Sequence, residues 1–323
     1  MKIAVVYNED LTRVLFRRKA PTRERYSRDV IERIVRALEE GGHRVTVLDG
    51  NVDFFSGLIE FVKEGGRFVF NLAYGIQGES RYAHIPAVLE LLGVPYTGSG
   101  PLGHSLALDK VVTKMIFRET GVPTPDFRVL SSPQEIGGDL SFPLVVKPRM
   151  EALSLGLRLV HNEEELADAV RSVVEEFEQE ALVEEFVGGR EISVSLLGNG
   201  EELRAFPPSE IDYGDRRFAI QTHEDKLLNP PRKVCPAPLP EELREELVEL
   251  SKRAFRAMHL RDYARFDVRL DPEGRPYFLE VNSMASLKPS GSFMCAACSA
   301  GYTYEEVIRE ILRTALRRYG MDA

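Results

Sequence analysis

The run Tyr263–Asn282, YARFDVRLDPEGRPYFLEVN, constrains this chain more than any other segment. It reads as two strands on either side of a turn at Pro272–Gly274. Arg265 and Asp267 stand two apart on the first strand, and Glu280 and Asn282 two apart on the second. Side chains two apart on a strand point to the same face. A hairpin here therefore gathers one arginine, two carboxylates and one amide. Two carboxylates and an amide oxygen are hard donors that suit Mg²⁺, which keeps water and phosphate oxygens for the rest of its shell. An arginine beside them is suited to meet a developing oxyanion. This is a phosphoryl-transfer site in outline. A solvated polar sheet face is the plain alternative that the hairpin alone leaves open.

The first hundred residues alternate strand and helix patterns. Ile3–Tyr7 is a buried strand run, Glu24–Glu40 carries helical periodicity, His43–Leu48 reads as a second strand, and Arg67–Leu72 as a third. Strands separated by helices imply a parallel sheet. Ligands bind such sheets beyond the carboxyl ends of the strands, where Tyr7–Glu9 and Asn71–Glu79 lie. A turn-rich boundary, Pro95–Ser105, precedes a helix expected over Leu106–Thr120. Strands near Phe127–Leu130, Leu144–Lys147, Leu157–Val160 and Ala181–Val187 follow, with a helix at Glu163–Phe177 capped by Asn162. Beyond Arg190 come long strands, the hairpin, and helices at Glu241–Met258 and Tyr304–Tyr319. The expected lobes are 1–104, 105–189 and 190–323.

At 323 residues the chain is long enough for two or three lobes with their own cores. No apolar run approaches the roughly 20 residues needed to span a bilayer. MKIAVVYNED reads as a first strand rather than a secretory leader, so a cytoplasmic protein without membrane attachment is expected. The net charge of −9 argues against general nucleic-acid affinity. Three cysteines, Cys235, Cys295 and Cys298, do not make a disulfide framework. Cys295 and Cys298 form an isolated CxxC without a second pair, so small apolar residues at the start of a helix are expected rather than zinc or redox chemistry.

Asp109-Lys110 opens a helix, with Lys114 one turn on, and Phe142–Pro148 is a strand ending in Lys147. Two lysines on separate elements can clamp phosphate oxygens as point charges. The segment Met150–Gly156 returns the chain and is placed to fold over phosphates. Leu182–Glu191, LVEEFVGGRE, is a strand running into a Gly-Gly turn. Backbone groups there can read an adenine edge, and Glu191 can accept from ribose hydroxyls.

In this order and spacing, DK, VVKP, VEEFVGGRE and RFD…EVN resemble the ATP-grasp fold, and specifically its D-alanine–D-alanine ligase branch. The stretches LELLGVPYTGSGPLGHSLALDKVVTK and GYTYEEVIREIL resemble the same family. The resemblance covers nearly the whole chain and is weakest at 8–28 and 209–230. It implies an α/β and α+β architecture, with an N-terminal parallel-sheet lobe ahead of two ATP-grasp lobes. It implies that Lys110 and Lys147 contact ATP phosphates, and that Glu184, Glu185, the backbone around Phe186, and Glu191 hold adenine and ribose. Asp267, Glu280 and Asn282 would bind two Mg²⁺, for which Mn²⁺ can substitute, and Arg265 would stabilise the tetrahedral intermediate. The implied reaction makes an acyl phosphate from a carboxylate and then an amide from an amine. A homodimer is the family expectation.

The chain departs from that pattern around the amino-acid substrate. Where the family has EGSSVG, this chain has Glu151-Ala-Leu-Ser-Leu-Gly156, with Leu153 at the clamping serine and Ser154 kept. In Tyr213–Arg217, Arg216 takes the place of a phosphate lysine and Arg217 that of a tyrosine. The clamp's glutamate corresponds to Glu24 or falls on Arg23, and a family histidine becomes Tyr74. Past Asn282, Lys288 and Ser292 are the candidates to face a substrate. The expectation is an active ligase whose substrates are small carboxylates and amines, other than D-alanine and more acidic than it. The alternatives are a D-alanine–D-alanine ligase with an atypical clamp, and an ATP-binding protein without ligase activity.

Overall fold

The computed structural model describes residues 1–14, 16, 24–214, 220 and 231–321. Strand β1 (Lys2–Tyr7) is buried at every position from Ile3 to Tyr7. A strand buried on both faces needs cover on both sides, as in a parallel sheet. β2 (Arg44–Asp49) and β3 (Phe68–Asn71) flank it in parallel, in the order β2–β1–β3. Alternate side chains then enter opposite cores. Ile3, Val5 and Tyr7 pack with helix α1 (Arg28–Glu40), while Ala4 and Val6 pack with α2 (Phe54–Lys63) and α3 (His84–Leu92).

Two expected helices change. α1 begins at Arg28 rather than Glu24, because residues 24–27 are not helical. Glu24 and Tyr26 turn inward there, and Arg25 and Ser27 outward, the two-residue alternation of extended chain. The helix expected over Leu106–Thr120 is instead α4 (Pro101–Leu108) and α5 (Lys110–Glu119). Asp109 adopts extended backbone at the junction, and its carboxylate accepts from the amides of Val111 and Val112 at 3.0 and 3.1 Å. Aspartate caps a helix better than it continues one. The break leaves Lys110 at the first position of α5.

The central region is an antiparallel sheet in the order β4 (Phe127–Leu130), β7 (Ala181–Glu185), β5 (Leu144–Pro148), β6 (Arg158–Val160). It is covered by α6 (Glu163–Phe177), which Asn162 caps by accepting from the Glu165 amide at 2.9 Å. The C-terminal sheet runs β11 (Arg232–Val234), β10 (Ser209–Asp212), β8 (Arg190–Leu197), β12 (Tyr263–Leu270), β13 (Pro276–Asn282), with β9 (Arg204–Ala205) also on β8. Helices α7 (Glu241–Ala257), α8 (Ser292–Ser299) and α9 (Tyr304–Arg318) pack around it. The cysteines of the CxxC are free. Cys295 is half-buried in α8, and Cys298 is exposed rather than a core residue. No helix among the described residues is long and apolar enough to cross a membrane.

Candidate active site

The hairpin forms in the register that brings its polar residues together. Arg265 lies opposite Asn282, and Asp267 opposite Glu280, with an irregularity just after Asp267. Arg265 grips Asp267 with Nε and Nη2 at 2.8 and 2.7 Å. Asn282 and Ser193 donate to the same carboxylate, each at 2.9 Å. Burial opposes charge on Arg265, but Asp267 outweighs it and raises the guanidinium pKa. Nη1 of Arg265 makes no hydrogen bond within the described residues, and the side chain lines the cavity. Glu280 lies 3.5 Å from Lys110.

Asp267, Glu280 and Asn282 thus stand side by side. Among the described residues no group of three or more His, Cys, Asp and Glu side chains is arranged to hold a metal ion. Two carboxylates and one amide suit an ion that completes its shell with phosphate oxygens and water, as Mg²⁺ does. The donor set fits that ion.

The nucleotide candidates sit on the facing sheet. Lys147 at the end of β5 meets Glu184 of β7 at 2.5 Å, and Lys114 reaches the same carboxylate at 2.8 Å. All three side chains are buried. Burial pulls the Lys114 ammonium down to about 8 despite Glu184. Burial works against Lys147 too, but Glu184 and Glu280 outweigh it and raise its pKa. Burial alone would raise the Glu184 carboxyl; the two lysines hold it down. A charge this deep needs its partners, so Glu184 holds Lys147 in position as well as lining the cavity.

Glu191 on β8 accepts from the Tyr213 hydroxyl at 2.7 Å and from Arg269 at 3.2 Å. Arg269 also lies over the Phe186 ring, 5.2 Å from its centroid. Gly189, at φ +95°, is a position only glycine can hold, since a Cβ there would sit 2.2 Å from the Leu270 carbonyl. In the segment 150–156, Leu153 and Ser154 both take left-handed backbone, φ 56° and 57°. Two such residues in succession store strain, and strain of this kind gathers at ligand clamps. Lys110 donates to the Glu151 carbonyl, and Gln179 ties the loop through the Glu151 carboxylate and the Met150 amide, each at 2.8 Å.

Of the expected site residues, Lys110, Lys147, Ser154, Glu184, Glu185, Phe186, Glu191, Arg265, Asp267, Glu280 and Asn282 all line one cavity of about 1120 Å³. Arg216, Arg217 and Arg23 lie outside the described residues. The sequence reading missed Arg269 and Ser193, although Arg269 follows Asp267 by two positions on the same strand. It also missed a tyrosine wall. Tyr26 stacks on Tyr74 at 5.6 Å, and Tyr82 packs against Tyr74 at 5.5 Å. The Tyr82 hydroxyl donates to Glu24 at 2.5 Å, with Arg81 at 3.3 Å. Burial dominates there and raises the Glu24 pKa.

A family model described as "D-ala D-ala ligase C-terminus" matches residues 116–313. A D-alanine–D-alanine ligase of Bordetella petrii is 32% identical, over 88% of this chain and 88% of that protein. The chain belongs to the D-alanine–D-alanine ligase family. An uncharacterized protein of Sinorhizobium fredii, y4sG, is 43% identical across 99% of this chain and 98% of its own length. A solved D-alanine–D-alanine ligase of Bacillus anthracis, complexed with ATP, superposes with a TM-score of 0.77 at 24% identity over 99% of each chain. The fold is therefore the ATP-grasp fold with an N-terminal parallel sheet. The protein is an ATP-dependent carbon–nitrogen ligase that uses ATP and Mg²⁺.

Proposed function

We propose that this ligase joins a carboxylate and an amine other than two D-alanines, through an acyl phosphate. The observation that carries this reading is the contrast inside one cavity. The constellation of Arg265, Asp267, Glu280 and Asn282 is complete, while Leu153 stands where the family clamps the first amino acid with a serine. Leucine neither donates nor accepts a hydrogen bond. Tyr74, which aligns with a family histidine, stacks on Tyr26 in the same cavity.

In this reading the carboxylate oxygen of the acid attacks the γ-phosphorus, and ADP leaves. The amine nitrogen then attacks the acyl carbon, inorganic phosphate leaves with the former carboxylate oxygen, and the amine gives up a proton. Lys110 and Lys147 hold phosphate oxygens as compact charges. Asp267, Glu280 and Asn282 would hold Mg²⁺, which would supply positive charge against the phosphates. Arg265 is fixed by Asp267 and has Nη1 left for the oxygen of the tetrahedral centre. The protein's contribution is alignment and charge, not covalent chemistry. A cytoplasmic homodimer belongs to the same reading.

The test is phosphate release from Mg²⁺–ATP with acids and amines added singly and in pairs, with mass spectrometry on the positives. A product equal to acid plus amine less water, from a pair other than D-alanine with itself, supports the reading. Release confined to D-alanine would instead favour the second reading, a D-alanine–D-alanine ligase with an altered clamp, which the 32% identity to the Bordetella petrii enzyme favours. ATP binding without release for any pair would leave a nucleotide-binding protein. Arg265→Met is expected to lower kcat about 10²- to 10³-fold with little change in KM for ATP.

A further inference from the structure

The wall that the start of the chain gives to the cavity is finished in rings. Tyr26, Tyr74 and Tyr82 line it, together with Met284 and Leu153. Tyr26 and Tyr74 lie nearly parallel, 14° apart, and Tyr82 is tilted 50° to Tyr74. Each hydroxyl is engaged inside the protein. Tyr26 accepts from the Leu287 amide at 2.9 Å, Tyr74 lies 3.3 Å from the Tyr26 hydroxyl and 3.4 Å from the Met284 carbonyl, and Tyr82 donates to Glu24 at 2.5 Å. With their polar tips bonded, the rings have apolar faces and edges left for a ligand. The three are 3%, 7% and 8% exposed, so the space beside them is narrow.

The carboxylates of this wall are matched too. Glu24 holds the Tyr82 hydroxyl and Arg81, Glu151 accepts from Gln179 at 2.8 Å and lies 3.7 Å from Arg81, and Glu9 is bonded by Arg28. An ammonium placed here would either displace a cation from its partner or lose its water without a counter-charge, and both are costly. Arg81 donates to the Met150 carbonyl at 2.8 Å and Lys110 to the Glu151 carbonyl, so the wall adjoins the segment 150–156. In the ligase reading that segment covers the phosphates, and the reactant whose carboxylate meets them lies against the wall.

We infer that this wall is a subsite for the aromatic body of the acid substrate, an arylalkanoic acid without an ammonium group. The ring of the acid packs among the tyrosine rings and Leu153, and its carboxylate reaches towards the phosphates. The inference rests on the ligase reading above and names the class of its acid, which differs from the acidic substrate expected from the sequence. An amino acid would bring an ammonium to carboxylates that are already matched. A small aliphatic acid would leave the rings facing water.

The test is calorimetric titration of the full chain, saturated with Mg²⁺ and the non-hydrolysable nucleotide AMP-PNP, with phenylacetate, 3-phenylpropionate, propionate, and both enantiomers of phenylalanine and alanine. The better aryl acid is expected to bind about tenfold more tightly than propionate, the scale of an aromatic contact. It should also bind about tenfold more tightly than either phenylalanine, whose ammonium would be desolvated without a partner. Tyr82→Phe takes a donor from Glu24 and should narrow the gap to phenylalanine to about threefold. Tyr74→Leu keeps the wall apolar but removes a ring, and should narrow the gap to propionate while leaving the gap to phenylalanine. Phenylalanine or propionate binding as tightly as the aryl acids, no binding by either aryl acid, or variants that weaken every acid alike would each overturn the subsite. Phosphate release from ATP with the same acids, and hydroxylamine as the amine, reports separately on the ligase. Binding of an aryl acid without release would count against the ligase reading and keep the subsite. Release with amino acids only would keep the ligase and remove the subsite.

Discussion

The central sheet and the two regions that flank it are held together in different ways. The core of the central region is its own: Leu130, Val146, Val160, Leu166, Val170 and Val183 all come from its four strands and α6. The flanking regions share one core, in which Ile3, Val5 and Phe70 from the start of the chain pack with Phe293, Ile308 and Leu312 from its end. A buried ionic knot reinforces that union. Asp262 accepts from Arg318 of α9 at 2.9 Å, from the Gly98 amide at 2.7 Å and from Asn199 at 2.9 Å, while Arg318 also donates to the Tyr96 carbonyl at 2.8 Å. Several contacts at the edge of the central sheet are polar by comparison. Arg149 binds Asp109 at 2.8 and 2.7 Å and Glu180 at 2.5 Å, and Lys110 faces Glu280 at 3.5 Å. Lys147 and Glu184 thus sit on a separately cored body, opposite the hairpin that carries Arg265 and Asp267. Polar seams open at lower cost than packed apolar cores, so closure over a nucleotide is expected to move the central sheet against a base formed by both ends of the chain.

The largest test of this contrast is the knot. Arg318→Met leaves Asp262 buried without its cation and should cost about 3 kcal/mol. Hydrogen exchange should then rise together around Gly98 and Asp262 and stay unchanged in α6; a uniform rise would erase the distinction between the two bodies. The converse experiment is Leu166→Ala, a truncation at 1% exposure that should cost about 2–5 kcal/mol. Its added exchange should be confined to residues 127–185, with β1 and α9 as protected as before.

A third test uses pH. Burial, helped by Arg261, holds the His104 imidazole down at about 3 against an ordinary value of 6.5. His104 Nδ1 lies 2.8 Å from the Ser283 hydroxyl, just beyond β13. Between those values the unfolded chain binds a proton that the native protein refuses. Stability is therefore complete above about pH 6.5 and falls as pH drops towards 3, by up to about 1.4 kcal/mol per unit from this group. Denaturant titrations should show a shallower acid slope for His104→Gln; the same slope in both proteins would clear His104 of that role. The smallest effect is Asn162→Ala, which removes the α6 cap and should cost about 1 kcal/mol. That loss should appear as a lower melting temperature without any change in the midpoint for ATP binding.

Much of the hairpin was legible because a strand's two-residue period is a local property. Once Arg265, Asp267, Glu280 and Asn282 lie on paired strands about a short turn, their meeting follows from register. The Asn162 cap and the extent of α6 were equally local. The break at Asp109 was less so. Leu106–Thr120 is periodic throughout, and what decides the break is that Asp109 caps α5 while receiving Arg149 from 40 residues away. The start of α1 went wrong for the same reason. Residues 24–27 leave the helical pattern to put Glu24 against Arg81 and Tyr82, and Tyr26 against Tyr74 and the Leu287 amide.

What the sequence by itself determined is the chemistry on offer: the alternation that builds each sheet, the lysines and carboxylates that come to line one cavity, and an apolar leucine at 153. Those follow from residue type and from spacings of two to four, which backbone geometry converts directly into a shared face. Only the tertiary structure decided which charges neutralise one another. Glu184 joins Lys114 and Lys147, and Arg269 joins Glu191. Those partners come from strands and helices far apart in the chain. Their pairing depends on desolvation and distance in the folded cavity, which no local spacing encodes.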